Sequence, residues 1–589
     1  MTIYKAPLDD MRFALYDVLG AEAVLTGLDG GDAHTRDLLD AVLDESARFN
    51  EQVLAPLNAS GDAEGCHYDK ATATVTTPKG FKEAYRQYAD GGWAGLTAKE
   101  EHGGQGLPAV LGLLTKEMID AANLAWGIYP LLSHGAIDAI EHHGDDWQKE
   151  VFLKRLVDGT WTGTMCLTEP QAGSDLGLLK TRAEPNDDGS YRVSGTKIFI
   201  SAGEHDFTDN IVHLVLARLP DAPAGSRGIS MLVVPKFKVN RDGSVGERNT
   251  AAAGAIEHKM GIKGSATCVM NFDDAQGWLI GAPHKGLMAM FTMMNAARLG
   301  VGVQGLAIAE RALQNSLNYA RERLQMRALS GPKLPEKPAD PLLVHPDVRR
   351  MLLTQRAFVE SGRVLAAYAG LQSDIEARHP DADKRKEAGE LLSFLIPIAK
   401  GLITEAAQEC TKEALQIFGG HGFIAEHGME QFVRDARIIT LYEGTTQIQA
   451  LDLLGRKVMQ LQGAGLKHFL AEIQAFCKAN ANNDAVKALV MQLAAATATW
   501  GEVTQSLAQK SQANPEELGA AAVDYLYFSG YITLAYFWAR SVVAADVLPA
   551  ERRQAKIDTA NFYFARILPR IVLHKAGIEA GVATLPDIA

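Results

Sequence analysis

The chain has 589 residues, too many for one hydrophobic core, so three or four packed units are expected. With 47% hydrophobic and 22% charged residues it has the composition of a soluble globular protein, and a formal net charge of −13 opposes wholesale binding to nucleic acid or to an anionic membrane surface. The five cysteines, Cys66, Cys166, Cys268, Cys410 and Cys477, are an odd number with no CxxC or metal-ligand spacing, which points to free thiols in a reducing compartment and away from a disulfide framework.

The opening MTIYKAPLDDMRFALYDVLG carries Asp9 and Asp10 and has no basic stretch leading into an apolar core. Neither a secretion signal nor a transit peptide is indicated, and the cytoplasm is the expected location. From there to about residue 160 the pattern is helical. In TRDLLDAVLDESARFNEQVLAPLN the apolar residues Leu38, Leu39, Val42, Leu43, Phe49, Val53 and Leu54 fall at helical spacing. Trp126 and Tyr129 lie on this helical part, where large aromatics read as core before they read as the wall of an acyl pocket.

Between 161 and 285 short β-type runs (YRVSGTKIFIS, NIVHLVLARL, GISMLVVPKF, TCVMNFDDA) alternate with Gly, Asp, Asn and Pro turns. No helical stretch intervenes, so a small antiparallel β domain is expected and a parallel βαβ dinucleotide-binding sheet is not. Helical periodicity returns over 286–460, as in GLITEAAQECTKEALQIFGG, where Gly419 and Gly420 supply the stop. Within it SGPKLPEKPADPLLVHPD (330–347) has too many prolines for a helix and reads as an exposed, mobile loop. A further helical unit fills 461–589. Its apolar stretch Tyr525 to Ala539 is shorter than the roughly 18 to 20 residues that span a bilayer and reads as a buried helix, so no transmembrane segment is expected. The fold class is therefore α+β and mainly helical: helical domain 1–160, β domain 161–285, helical bundle 286–460, extra helical domain 461–589.

Some motifs mislead. GVGVQG, with Gly300, Gly302 and Gly305, matches GxGxxG but sits inside a helical run, where small residues allow close helix packing. His142, His143, His421 and His427 lack the spacing of a metal site, so no metal is expected. There is no GxSxG elbow for a hydrolase.

Two segments carry chemistry, with three more between them. MCLTEPQAGSDLG (165–177) gathers Thr168, Gly173, Ser174 and Asp175 into a loop of hydroxyls and backbone N–H groups able to hold a ring imide and a pyrophosphate. LYEGTTQIQ (441–449) sets one acid, Glu443, between apolar Ile438, Ile439 and Leu441 and a Gly-Thr-Thr turn. Apolar walls disfavour the charged carboxylate and raise its basicity toward that of a general base. KIFISAG (197–203), the spacing from Arg298 to Arg323, and QIFGGHGF (416–423) lie between them in that order.

These segments, in this order, with helical, β and helical parts succeeding one another, resemble the acyl-CoA dehydrogenase family over about residues 35–460. The resemblance implies an FAD enzyme in which Glu443 removes the α-proton of an acyl-CoA thioester, giving a trans-2-enoyl-CoA. It further implies that Met165, Leu167, Thr168 and Ser174 contact the flavin and its pyrophosphate, Ser174 also lying near the CoA arm. Phe199 and Ser201 would flank the ring, and Arg323 would pair with the pyrophosphate. Gln416 and Gly420 would reach the flavin of a neighbouring subunit, with Thr445 and Gln447 on its adenylate part, so a homodimer is implied. Asn295, Arg298 and Gly444 would face substrate. Electrons would pass to an electron-transfer flavoprotein.

Some positions depart from the family pattern. Ser201 stands for the commoner Thr, Phe199 for Trp and Asn295 for Asp, while Gln325-Met326-Arg327 replaces the usual aromatic-glycine after the flavin arginine. Where some relatives carry an alternative base beside Arg298, this chain has Ala297. The extension after 460 resembles the longer subgroup that includes 3-(methylthio)propanoyl-CoA dehydrogenase and bacterial fatty acyl-CoA dehydrogenases, so the substrate expectation is a medium to long straight-chain acyl-CoA or that short thioether. Two alternatives remain: an acyl-CoA oxidase that uses oxygen, and a flavin-containing DNA-binding relative, which the near-equal acidic and basic residues of 461–589 do not favour.

Overall fold

The β-type runs of the middle of the chain are realised as a seven-stranded sheet in the computed structural model, which describes residues 2–588. This sheet belongs to one of two units, made of Phe49–Leu107 and Ala122–Gly300. Its order is Ala251–Ile256, Thr267–Ile280, Tyr191–Ser201, Arg182–Pro185, Asn210–Arg218, Trp161–Cys166, with Ile229–Pro235 bonded to both Asn210–Arg218 and the far end of Thr267–Ile280. Most pairings are antiparallel, but Trp161–Cys166 runs parallel to Asn210–Arg218, which corrects the purely antiparallel expectation. Between these two strands the chain makes the long excursion 167–209, enough to carry it back and re-enter in the same direction. The hairpin Arg182–Pro185 with Tyr191–Ser201 lies within that excursion. A second small departure is the hairpin of His67–Asp69 with Thr74–Thr76, inside the region expected to be helical.

Asn210–Arg218 and Ile229–Pro235 are buried along almost their whole length, as strands covered on both faces are. Helix Leu124–His143 packs on Trp161–Cys166 so closely that a Cβ on Gly163 would stand 2.4 Å from Cβ of Ala136. Asn123 caps that helix by accepting the Trp126 N–H at 3.1 Å. Trp126 and Tyr129 are fully buried. The Trp126 indole donates to the Phe81 carbonyl at 3.2 Å, while Tyr129 accepts the Ala266 N–H at 2.9 Å, so both serve the core.

The other unit comprises Met1–Arg48, Pro108–Ala121 and Val301–Ala589 and is helical. Its long helices are the C-terminal part of Gly286–Glu322, then Pro346–Arg378, Ala382–Ile398, Thr404–Phe418, Lys487–Ala513 and Glu516–Ala544. Glu516–Ala544 is buried on every side from Phe528 to Ala539, as befits a central helix. The residues after 460 are knit to those before it: the Trp538 indole donates to the Ala357 carbonyl at 2.9 Å and Arg540 to the Val18 carbonyl at 2.8 Å.

The glycines of GVGVQG do the work expected of small residues. A Cβ on Gly305 would stand 3.0 Å from the Ile403 carbonyl oxygen and 3.0 Å from Cα of Thr404, and one on Gly302 would stand 3.2 Å from the Ala399 backbone. Helix Gly286–Glu322 is long and apolar enough to cross a membrane by length and composition, yet 61% of its most apolar window is buried inside the protein. The proline-rich loop is more ordered than its composition suggests. Buried Asp340 accepts the N–H groups of Ala328, Lys333 and Leu334 at 2.8–2.9 Å and pairs with Arg327. Burial alone would raise this carboxyl, but those donors outweigh it and hold it at about 2.

Candidate active site

In the sheet-bearing unit, Met165 is the penultimate residue of strand Trp161–Cys166, and Leu167 and Thr168 follow the strand, both half-buried. The Thr168 carbonyl accepts the Ile198 N–H at 2.9 Å and the Thr164 hydroxyl donates to the Ser201 carbonyl at 2.6 Å. Two sequence-distant segments, Met165–Thr168 and Phe199–Ser201, are thereby brought side by side. The loop beyond them is stapled from inside. Lys197, fully buried, donates to the Leu167 carbonyl at 3.0 Å and to Glu169 at 2.8 Å, while Glu169 also accepts the Lys180 and Thr181 N–H groups at 2.7 and 3.0 Å. Burial opposes ionisation of Glu169, but Lys197 and these N–H donors overcome it and hold the carboxyl down at about 2. Ser174 and Gly173 are left exposed on the outer turn of this loop, where a Cβ on Gly173 would meet nothing.

Phe199 owes its position to a β-bulge. Cys268 pairs with Ile200 and Met270 with Lys197, so Ile198 and Phe199 together oppose the single residue Val269. The bulge puts Phe199 at φ +59 and leaves its ring 60% exposed, an orientation that a regular pleat would not give. Ser201 is half-buried beside it, and Thr267, its partner across the ladder, has a buried hydroxyl with no protein partner among the described residues. An exposed aromatic face, the hydroxyls of Thr168, Ser174 and Ser201 and an open glycine turn make a donor set that fits a flat heteroaromatic ring with a polar edge and a diphosphate tail. Asn295 and Arg298 lie one helical turn apart on Gly286–Glu322. Asn295 is half-buried and Arg298 only 5% exposed, with Ala297 buried between them.

In the helical unit, Glu443 follows helix Met429–Ile439 and precedes helix Thr446–Leu451, whose N-cap is the Thr445 hydroxyl. Glu443 is at φ +54 and Gly444 at φ +87. A left-handed glutamate costs about 1–2 kcal/mol, so the surroundings must impose it. They do so through side chains. Gln449, fully buried, donates to the Glu443 carbonyl at 3.0 Å. Lys400, fully buried, donates to the Gly444 carbonyl at 2.5 Å. Tyr442 donates to buried Gln304, and the Thr446 hydroxyl to Glu405 at 2.5 Å. Burial, then the charges of Asp120 and Glu443, keep the Tyr442 hydroxyl protonated far above its ordinary range. Only glycine fits at 444, since a Cβ there would stand 2.7 Å from the Gln449 amide nitrogen. Glu443 itself is half-buried. Ile439 is buried nearby, but Leu441 is 45% exposed, so the apolar enclosure expected from the sequence is incomplete on that side. The arrangement presents one carboxylate on a rigid turn, as a proton acceptor requires.

Arg323 lies just past the end of Gly286–Glu322 and is exposed, its N–H bonded to the Tyr319 carbonyl. Gln416 and Gly420 are exposed at the end of Thr404–Phe418 and on the turn after it, next to Phe423, which is 80% exposed; Gln447 is exposed on Thr446–Leu451. Sequence reasoning missed Lys197, Glu169, Lys400, Gln304 and Gln449. The apolar neighbours of Lys400 in LIPIAKGLI were its only local signal.

Family models match nearly the whole chain: "Acyl-CoA dehydrogenase, N-terminal domain" over 38–160, "middle domain" over 164–275, "C-terminal domain" over 284–459, and "Acetyl-CoA dehydrogenase C-terminal like" over 469–589. The 3-methylmercaptopropionyl-CoA dehydrogenase of Ruegeria pomeroyi is 43% identical over 571 residues, covering 96% of this chain and 96% of that one. The broad-specificity linear acyl-CoA dehydrogenase FadE5 of Mycobacterium tuberculosis is 34% identical, covering 98% of each chain. In fold, the chain resembles an acyl-CoA dehydrogenase from Bacillus anthracis solved in complex with FAD, with a TM-score of 0.75 at 21% identity over 94% of this chain and 89% of that one. A β-bulge that displays Phe199, a braced left-handed Glu443 and these full-length matches lead to one assignment: the chain belongs to the acyl-CoA dehydrogenase family, flavoprotein oxidoreductases that act on the CH–CH bond of acyl-CoA thioesters.

Proposed function

We propose that this enzyme converts an acyl-CoA to its trans-2-enoyl-CoA with Glu443 as the base. The observation that carries the reading is Glu443 itself, a carboxylate held in a left-handed turn by the buried side chains of Lys400 and Gln449. Glu443 takes the α-proton, and its backbone N–H would donate to the thioester oxygen as charge develops there. FAD, when bound, supplies the acceptor for the hydride that leaves the β-carbon. Leu167, Thr168, Ser174 and Ser201 would hold its ring and diphosphate, with Phe199 along the ring and Arg323 as a partner for the diphosphate. Asn295, Arg298 and Gly444 would serve the thioester arm.

The turn at Gln416, Gly420 and Phe423 is the surface a second subunit covers in a homodimer, with Thr445 and Gln447 on the adenylate side. The substrate is a straight-chain fatty acyl-CoA or 3-(methylthio)propanoyl-CoA. The 43% identity to a 3-methylmercaptopropionyl-CoA dehydrogenase favours the thioether, and the 34% identity to a linear acyl-CoA dehydrogenase supports the longer chains. Electrons pass to an electron-transfer flavoprotein in the cytoplasm.

The test is anaerobic dye reduction across acyl-CoA chain lengths and the thioether, with the parent and Glu443→Gln. The variant should bind FAD and lose turnover by at least about 10²-fold. Normal turnover in an FAD-loaded Glu443→Gln enzyme would assign the base elsewhere.

A further inference from the structure

Lys400 has no exposed surface and sits in Ala399–Ile403, a π-turn interrupting the path from Ala382–Ile398 to Thr404–Phe418. Such turns widen a helix by one residue and recur at functional sites. This one directs the Lys400 ammonium to the Gly444 carbonyl at 2.5 Å, on the residue next to Glu443. A buried ammonium is costly unless well partnered, and the Gly444 carbonyl is one of the partners it holds.

The π-turn in turn rests on the C-terminal extension. A Cβ on Gly401 would stand 2.5 Å from Leu526, and one on Gly530 would stand 2.6 Å from Leu402, so helix Glu516–Ala544 lies flush on the two residues after Lys400. The same helix packs against Thr446–Leu451, which begins directly after the catalytic turn.

We infer that Lys400 is a positioning residue for Glu443, and that the extension acts on catalysis by clamping the π-turn that aims Lys400 at the Gly444 carbonyl. The inference rests on Glu443 being the base. Lys400 touches neither substrate nor cofactor in this scheme. It fixes the peptide after Glu443, so that the carboxylate and its N–H keep the attitude that proton removal needs, where a displacement of about 1 Å can cost about 10²-fold in rate.

The experiment uses the full-length, FAD-loaded enzyme and measures FAD content, kcat and KM for Lys400→Met, Lys400→Arg and Gly530→Val, beside Glu443→Gln. Expected are a fall in kcat of about 10²-fold for Lys400→Met and about tenfold for Gly530→Val, with KM and FAD content near parental values, and partial recovery in Lys400→Arg. Parental kcat in Lys400→Met overturns the inference, as does a loss that follows FAD content or falls entirely on KM. If Lys400→Met does not fold, Gly530→Val and Lys400→Arg decide: parental kcat in both overturns it. An inactive Glu443→Gln beside a fully active Lys400→Met would remove this inference and leave the proposed function standing. An active Glu443→Gln would remove the reading on which both depend.

Discussion

Replacing Arg363 with methionine should be among the most damaging single changes outside the active site. Arg363 is 1% exposed and donates to Glu117 at 2.6–3.1 Å and to Glu310 at 2.6 Å, and it also pairs with Asp10. Lys556 completes the cluster by bonding Asp10 and Glu360. Segments from the N-terminus, from 108–121, from two long helices and from the C-terminal extension therefore meet in one ion cluster centred on Arg363 and Asp10. Without the guanidinium, Glu117 and Glu310 are left as buried carboxylates facing each other, a change of the kind that costs about 3–5 kcal/mol.

The same cluster gives a pH signature. Burial, opposed by Arg363, pushes the Glu117 carboxyl from its ordinary 4.5 up to about 7. The folded state then binds the extra proton between those values, so stability from this group is complete below the ordinary carboxylate range. It is lost as pH rises through about 7, by about 3 kcal/mol in all. Glu117→Gln stays neutral and should lose this slope while costing about 1 kcal/mol at about pH 5. Urea unfolding of the FAD-loaded protein at about pH 5 and about pH 8 would show it. A loss below about 1 kcal/mol in Arg363→Met, or an unchanged slope in Glu117→Gln, would refute the reasoning.

Two further outcomes test the packing. Gly305→Ala should lower thermal stability by about 1–3 kcal/mol and Gly305→Val by more, because the added carbon meets the backbone of Ile403 and Thr404 rather than a movable side chain; scanning calorimetry would measure it. Asp340→Asn should loosen the proline-rich loop, seen as faster hydrogen exchange at Ala328, Lys333 and Leu334. In the parent that protection should be full above the ordinary carboxylate range and disappear as pH falls toward about 2, since the folded carboxyl is the depressed one.

How much of this was legible in the sequence depended on how local each feature is. Alternation and turn residues revealed where strands lie between 161 and 285, since those depend on each segment alone. They could not reveal that Trp161–Cys166 pairs in parallel with Asn210–Arg218, because direction is set by the excursion between them. Phe199 was legible by resemblance as an aromatic beside the ring, but its exposure comes from a bulge whose register is written in Val269, some seventy residues on. The loop 330–347 reads as exposed and mobile by composition, and only the fold shows one buried carboxylate collecting the amides of Lys333 and Leu334 together with that of Ala328 just before the loop.

Glu443 shows the same division at the active site. Its segment contains the proposed proton acceptor, the obligatory Gly444 and the brace Gln449, yet a local reading would make it an ordinary helix-end acid. What changes its character is remote: Lys400 on a π-turn, Gln304 on the long helix, and Glu405 holding Thr446. A left-handed glutamate costs about 1–2 kcal/mol, whereas each net hydrogen bond returns about 0.5–1.5 kcal/mol, and those to a charged group about 1.5–3. The turn's bonds, taken together, exceed the strain, so it persists before substrate arrives. Because several of the braces are buried, and one sits on a π-turn seated against Glu516–Ala544, the geometry of the Glu443 turn depends on parts of the chain far beyond the segment that contains it.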